Sequence, residues 1–236
     1  MKIVKSGFLG IIIVMLFCNL HADTFDYSDV HLLEWGGPKD TGPGTRAEWL
    51  GAQSEYDTRI PHIDGNHIEQ ADSTDRNILI LIESSLCDSI EFELMAYIRD
   101  LKHENYIPFI YTIGKLPAES IRVFLKDCYN NLYIEGALLI GNIETAWFQV
   151  EDDFNTYGYA EWPFDYYYME LNGIWLDDYD FSSGTPIAGC DSIYDGHSGD
   201  EMPEIYVARL MPNNMGNRSE LLVNYLKIDK IWEGEI

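Results

Sequence analysis

Between Asn77 and Ile140, apolar runs of strand length alternate with segments whose apolar residues recur every three or four positions. That alternation leaves few folds open. Asn77–Leu86 (NILILIESSL) is a continuous apolar run of the kind that fills a strand buried on both faces. Asp88–His103 places Ile90, Leu94, Met95, Ile98 and Leu101 at helical spacing. Tyr106–Ile113 (YIPFIYTI) reads as a second strand, and Pro117 with Glu119 opens a helix through Cys128 that carries Ile121, Phe124 and Leu125 on one face. Ile134–Ile140 (IEGALLI) is a third strand, ending in Gly141-Asn142. Glu204–Met211 (EIYVARLM) reads as a fourth, and Asn217–Trp232 as a closing helix with Leu221, Leu222, Tyr225, Leu226 and Ile228 apolar. Strand, helix, strand, helix, strand predicts an α/β fold with a parallel sheet and right-handed crossovers.

The rest of the chain divides around this block. Residues 1–22 begin with Lys2 and Lys5, run apolar from Phe8 to Cys18, and turn polar before Ala22, the order of a secretory signal peptide. The apolar run is short for a membrane span, although a retained N-terminal anchor is the alternative. The expected location is secreted, periplasmic or cell-surface. Residues 23–75 show no sustained period and hold Gly36-Gly37-Pro38 and Gly42-Pro43-Gly44, so they read as an irregular lead-in with one short strand around Val30–Leu33. Residues 76–236 form the α/β block.

Charge narrows the function. With 15 Lys+Arg against 40 Asp+Glu, the formal net charge is −25. Binding to nucleic acid is excluded, because that affinity comes from Lys and Arg displacing counterions from phosphates. Docking on an anionic membrane after signal cleavage is disfavoured for the same reason. Cysteine does not organise the fold. Beyond the leader only Cys87, Cys128 and Cys190 remain, an odd number without a C-x-x-C pair.

From Asp127 to Ala208 there is no Lys or Arg, while Asp and Glu are dense. Uncompensated carboxylates repel one another, and a hard divalent cation relieves them. The candidate ligands are Asn172, Asp177, Asp178, Asp180, Asp191 and Asp195, with calcium the expected ion. Magnesium requires stricter octahedral geometry, and zinc would find only Cys190 and His197 as soft ligands. A solvated acidic loop is the other reading of the same composition.

The stretch EGALLIGNIETAWFQVEDDFNTYGYAEWPFDYYYMELNGIWLDDYD, followed by DSIYDGHSGDEMPEIYVARLMPN, resembles the N-terminal part of gingipain-like cysteine peptidases, peptidase family C25. Relatives carry a strand ending in a glycine turn, an acidic-aromatic loop, a motif like D-x-x-Y-x-D-L-D-G-x-W, an aspartate-rich loop and P-E-I-x-V-G-R-L. Here these correspond to Gly141-Asn142, Asp165 to Trp175, Asp177 to Asp195, and Pro203 to Leu210. Glu170 and Asn172 stand where aspartates are usual, and Ala208 where glycine is usual. The resemblance runs from about Asn77 to the end. It implies a caspase-like α/β fold of two subdomains, with the catalytic His and Cys in the second, beyond the helix matching Asn217–Trp232. This chain is therefore expected to be the first subdomain only, truncated before the catalytic half. A polypeptide is its expected substrate if joined to that half.

The resemblance also implies a substrate contact at Asp165, since the matching aspartate lies beside the substrate cleft; a carboxylate capping the turn after Pro163 is the alternative. Glu144 matches an acidic position after the third strand only loosely and receives no role. Cys190 and His197 are close in sequence, but their order is reversed from the family's and they precede the fourth strand, so no catalytic role is assigned to them. His62 and His67 form a weak zinc signal and stay unassigned with His31. Two functions remain open: the non-catalytic part of a secreted gingipain-like peptidase, or a stand-alone exported acidic binding module without activity. A short hydrolase with its own dyad is the third and weakest reading.

Overall fold

Four parallel strands form the centre of the unit Gly44–Ile236, and their order sets where a ligand can sit. A computed structural model describes Arg46, Pro61 and residues 71–150, 159–178, 191–212 and 216–232, with side chains of the last helix described to residue 227. All belong to the compact unit Gly44–Ile236. The signal-peptide segment, the strand expected around Val30–Leu33, and His31, His62, His67, Asp180 and Cys190 lie outside the described residues. No helix among the described residues is long and apolar enough to cross a membrane.

The strands β1 (Arg76–Glu83), β2 (Tyr106–Ile113), β3 (Ile134–Ile140) and β8 (Tyr206–Leu210) pair in the order β2-β1-β3-β8, all parallel. Helix α1 (Cys87–His103) connects β1 to β2, helix α2 (Ala118–Leu132) connects β2 to β3, and helix α4 (Arg218–Trp232) follows β8. Because the chain steps from β1 outward to β2 and then returns past β1 to β3, right-handed crossovers place α1 and α2 on opposite faces. Side chains alternate accordingly. Leu79 and Leu81 face Ile121, Phe124, Leu125 and Cys128 of α2. Ile78, Ile80 and Ile82 face Ile90, Leu94 and Ile98 of α1 and Leu222 of α4. The expected parallel sheet flanked by helices is present. The first strand ends earlier than its apolar run, at Glu83, because Ser84–Leu86 turn into α1.

The acidic tract between β3 and β8 holds structure that its composition does not announce. Strands β4 (Trp147–Val150) and β5 (Ala160–Pro163) pair antiparallel, as do β6 (Ile174–Leu176) and β7 (Gly196–Ser198). A single turn of helix, α3 (Tyr166–Met169), lies between the hairpins and buries Tyr167 and Tyr168. Aromatic residues cement this region: Phe164 meets Trp175 edge-on at 5.2 Å, and Phe148 meets Phe164 at 5.4 Å. His197, placed by the sequence only ahead of the fourth strand, lies in β7.

Candidate functional site

Open α/β sheets bind ligands outside the carboxyl ends of their strands, where the strand order reverses. Here the reversal falls between β1 and β3. The crevice directly above it is filled from within. Glu83, the last residue of β1, accepts the Asn142 N–H at 2.6 Å and pairs with Arg218 at the start of α4. Gly141 follows β3 at φ +101°, and a Cβ there would come within 2.6 Å of the Glu83 Cβ. That turn therefore requires glycine.

Two cavities open on the α2 side of the same edge. One, of about 490 Å³, is lined by Pro117, Ala118 and Glu119 at the start of α2, by Glu144, Thr145 and Ala146 after β3, and by Arg46, Asp177, Ser192 and Tyr194. The other, of about 410 Å³, is walled by Arg122 and Val123 of α2 and by Tyr167, Gly173, Ile174 and Trp175. Glu119, Asp177 and Tyr194 line both, so the two form one cleft in which carboxylates, aromatic rings and the guanidinium groups of Arg46 and Arg122 meet. Glu144 is only 5% exposed. Tyr194 stacks on Tyr167 with ring centres 4.5 Å apart, and its hydroxyl donates to the Tyr167 hydroxyl at 2.6 Å. Burial drives both phenols upward from the usual tyrosine value, so both stay neutral at physiological pH. The buried Trp175 indole N–H has no hydrogen-bond partner among the described residues. Buried donors of this kind without a partner are rare.

The wall behind Trp175 is held by a buried carboxylate. Glu170 is fully buried, and its Oε2 lies 3.3 Å from Arg122 Nη2 and 3.2 Å from His197 Nε2. Its Oε1 accepts the N–H groups of Asn172, at 3.0 Å, and Gly173. A Cβ on Gly173 would run into the His197 imidazole and the Glu170 carboxylate, so these groups can meet only over a glycine. His197 packs against Trp175 with ring centres 4.4 Å apart. Its imidazole therefore serves the wall of the cleft and faces Glu170.

The residues singled out from sequence are distributed as follows. Asp165 precedes α3, and Arg209 of β8 grips its carboxylate, Nε to Oδ2 at 3.0 Å and Nη2 to Oδ1 at 2.6 Å. Asp177, Asp178, Asp191 and Asp195 gather at one end of the β6–β7 hairpin. Asp178 donates its N–H to Asp195 Oδ2 at 3.1 Å, Ser192 to Asp177 Oδ2 at 3.0 Å, and Ile193 to Asp191 Oδ1 at 2.8 Å. Asn172 lies beyond the other end of β6, where its side chain bonds Glu204. Among the described residues no three His, Cys, Asp or Glu side chains converge tightly enough to hold a metal ion. Cys128 is buried in the core, and burial pushes its thiol well above the ordinary range. Cys87 is half-buried in the first turn of α1.

Glu119, Arg122 and Tyr194 carry the cleft, yet the sequence did not single them out as site residues. Glu119 was visible as the acid that opens a helix after Pro117. Its second role depends on α2 starting at the edge of the sheet, which no local pattern encodes.

Compared with family models, curated proteins and solved structures, the chain matches none.

Proposed function

We propose that this chain is the non-catalytic, cleft-forming part of a secreted gingipain-like cysteine peptidase, in which the four-stranded sheet is the first half of a caspase-like unit. The observation that carries the reading is the cleft at the carboxyl ends of β2 and β3. Its walls combine the carboxylates of Glu119, Glu144 and Asp177 with the rings of Tyr167, Trp175 and Tyr194, while the two arginines of the lining are engaged, Arg122 by Glu170 and Gly173 and Arg46 by the Asp191 carbonyl. Carboxylates beside aromatic faces favour a cationic side chain, through charge-assisted hydrogen bonds and cation–π attraction. A basic side chain of a polypeptide is the ligand these groups fit best. Hydrolysis itself belongs to the thiol and imidazole of the other half.

Calcium binding by the acidic loop is part of the same reading. It is supported by the gathering of Asp177, Asp178, Asp191 and Asp195 at one hairpin end in a tract without Lys or Arg.

Photoaffinity labelling tests the cleft. A tripeptide amide carrying arginine beside a diazirine should label segments 117–123, 143–147 and 191–195 of the purified chain, and free arginine amide should compete. Label that spreads over the surface without competition would overturn the reading.

A further inference from the structure

We propose that Asp165 is a positioning residue for the cleft and does not itself receive the ligand. Both carboxylate oxygens of Asp165 are taken by the fork of Arg209. The same guanidinium donates through Nη1 to the carbonyl of Ile143 at 2.5 Å and through Nη2 to that of Glu144 at 3.4 Å. Arg209 is only 10% exposed. Tyr168, fully buried beneath it, donates its hydroxyl to the Glu144 carbonyl at 2.7 Å. Residues 143–146 leave β3 and form one wall of the larger cavity with Glu144, Thr145 and Ala146. A chain of contacts therefore runs from Asp165 through Arg209 to the backbone of that wall.

The energetics favour this role. A bidentate guanidinium–carboxylate pair is among the stronger protein hydrogen-bond arrangements, because two charge-assisted bonds are made at once. A second cation brought to Asp165 would have to break the fork and would meet Arg209 at like-charge contact distance. Removing the carboxylate leaves Arg209 charged, largely buried and without its counter-ion, a costly state that it relieves by turning toward water. The Ile143 carbonyl then loses the Arg209 donor, the Glu144 carbonyl keeps only Tyr168, and the wall that carries Glu144 loosens. Asp165 thus sets the shape of the cleft while Glu119 and Asp177 supply its charge. What the cleft binds rests on the reading above; the contact chain does not.

Two readouts on the full chain test this. The first is backbone amide hydrogen exchange over residues 143–147. Asp165→Asn, nearly isosteric, should speed exchange there by about tenfold, the effect of losing a modest local stabilisation. Arg209→Met, which removes the donors to both carbonyls directly, should speed it at least as much. The second is affinity for acetyl-arginine methylamide and its neutral isostere acetyl-citrulline methylamide. Asp165→Asn should weaken both probes alike, leaving the arginine-over-citrulline ratio within about twofold of the native value, while Glu119→Gln should cut that ratio by about tenfold. Native exchange at 143–147 in Asp165→Asn overturns the proposal, as does a ratio that collapses in that variant. If neither probe binds the unaltered chain, the cation-binding reading fails and the exchange rates alone decide the role of Asp165. If Arg209→Met does not fold, the near-isosteric Asp165→Asn still decides it.

Discussion

Arg122 holds Glu170 in two ways at once. Its Nη2 lies 3.3 Å from the carboxylate, and its Nε and Nη2 take the Glu170 carbonyl at 3.1 and 2.9 Å. The same Nη2 reaches the Gly173 carbonyl at 2.9 Å. One side chain of α2 thereby ties down the segment that leads into β6, and with it Trp175 and the root of the acidic loop. Removing one partner of a buried pair leaves an uncompensated charge, so Arg122→Ala is expected to cost about 3–5 kcal/mol of stability. Arg122→Lys should recover only part, because an ammonium cannot reproduce the fork. Urea unfolding measures both, and a loss below about 1 kcal/mol for Arg122→Ala would contradict the assignment.

Acid should release α4 before it unfolds the sheet. Burial pushes the Glu83 carboxyl up, but hydrogen bonds from Arg218, Ser85 and the Asn142 N–H outweigh it and hold the group below its usual 4.5. A folded value below the unfolded one means that the stability Glu83 contributes is complete above pH 4.5 and lost as pH falls through the lowered value. Glu83→Gln should lower stability near neutrality and flatten its decline as pH falls below 4.5. Unfolding midpoints across that range check it, and an acid limb as steep in the variant as in the parent would argue against it.

The thiols should differ in reactivity. Cys128 is buried in the core and its thiol is pushed up by burial, whereas Cys87 is half-buried at the start of a helix. Thiolate, not thiol, attacks iodoacetamide. In the native chain, labelling followed by peptide mass analysis should find Cys87 alkylated and Cys128 untouched until denaturant is added. Rapid native labelling of Cys128 would show that the α2 face of the core opens.

Calcium should raise the melting temperature of the chain, and excess chelator should reverse the rise by mass action. Asp178→Asn with Asp180→Asn should abolish the shift, and Asp88→Asn, in the first turn of α1, should leave it unchanged. No shift and no binding heat at millimolar calcium would leave the solvated acidic loop as the better account.

The sheet was legible in the sequence because Ile78–Ile82 and Gly136–Ile140 are buried on both faces and so read as unbroken apolar runs. Helices α1 and α2 were legible because each packs one face, and the stripes Ile90–Leu94–Ile98 and Ile121–Phe124–Leu125–Cys128 mark that face. The hairpins of the acidic tract were not. Strands of three or four residues such as Trp147–Val150 and Ile174–Leu176 are too short to show a period, and their aromatic residues serve a cluster assembled from four separate segments. Glu170 was visible only as a departure from a motif. Its burial against Arg122 and His197 joins positions 48 and 27 residues away in the chain, which no window of sequence can show.

The most direct measurement of the central claim is the ratio of dissociation constants for acetyl-arginine methylamide and acetyl-citrulline methylamide, taken by calorimetry on the unaltered chain at low salt. The two probes differ in one charge and almost nothing in shape. A cleft walled by Glu119, Glu144 and Asp177 should prefer arginine by about tenfold or more, a preference that shrinks with added salt and is lost in Glu119→Gln with Asp177→Asn. Equal affinity for the two probes, or no binding of either at millimolar concentration, would contradict it.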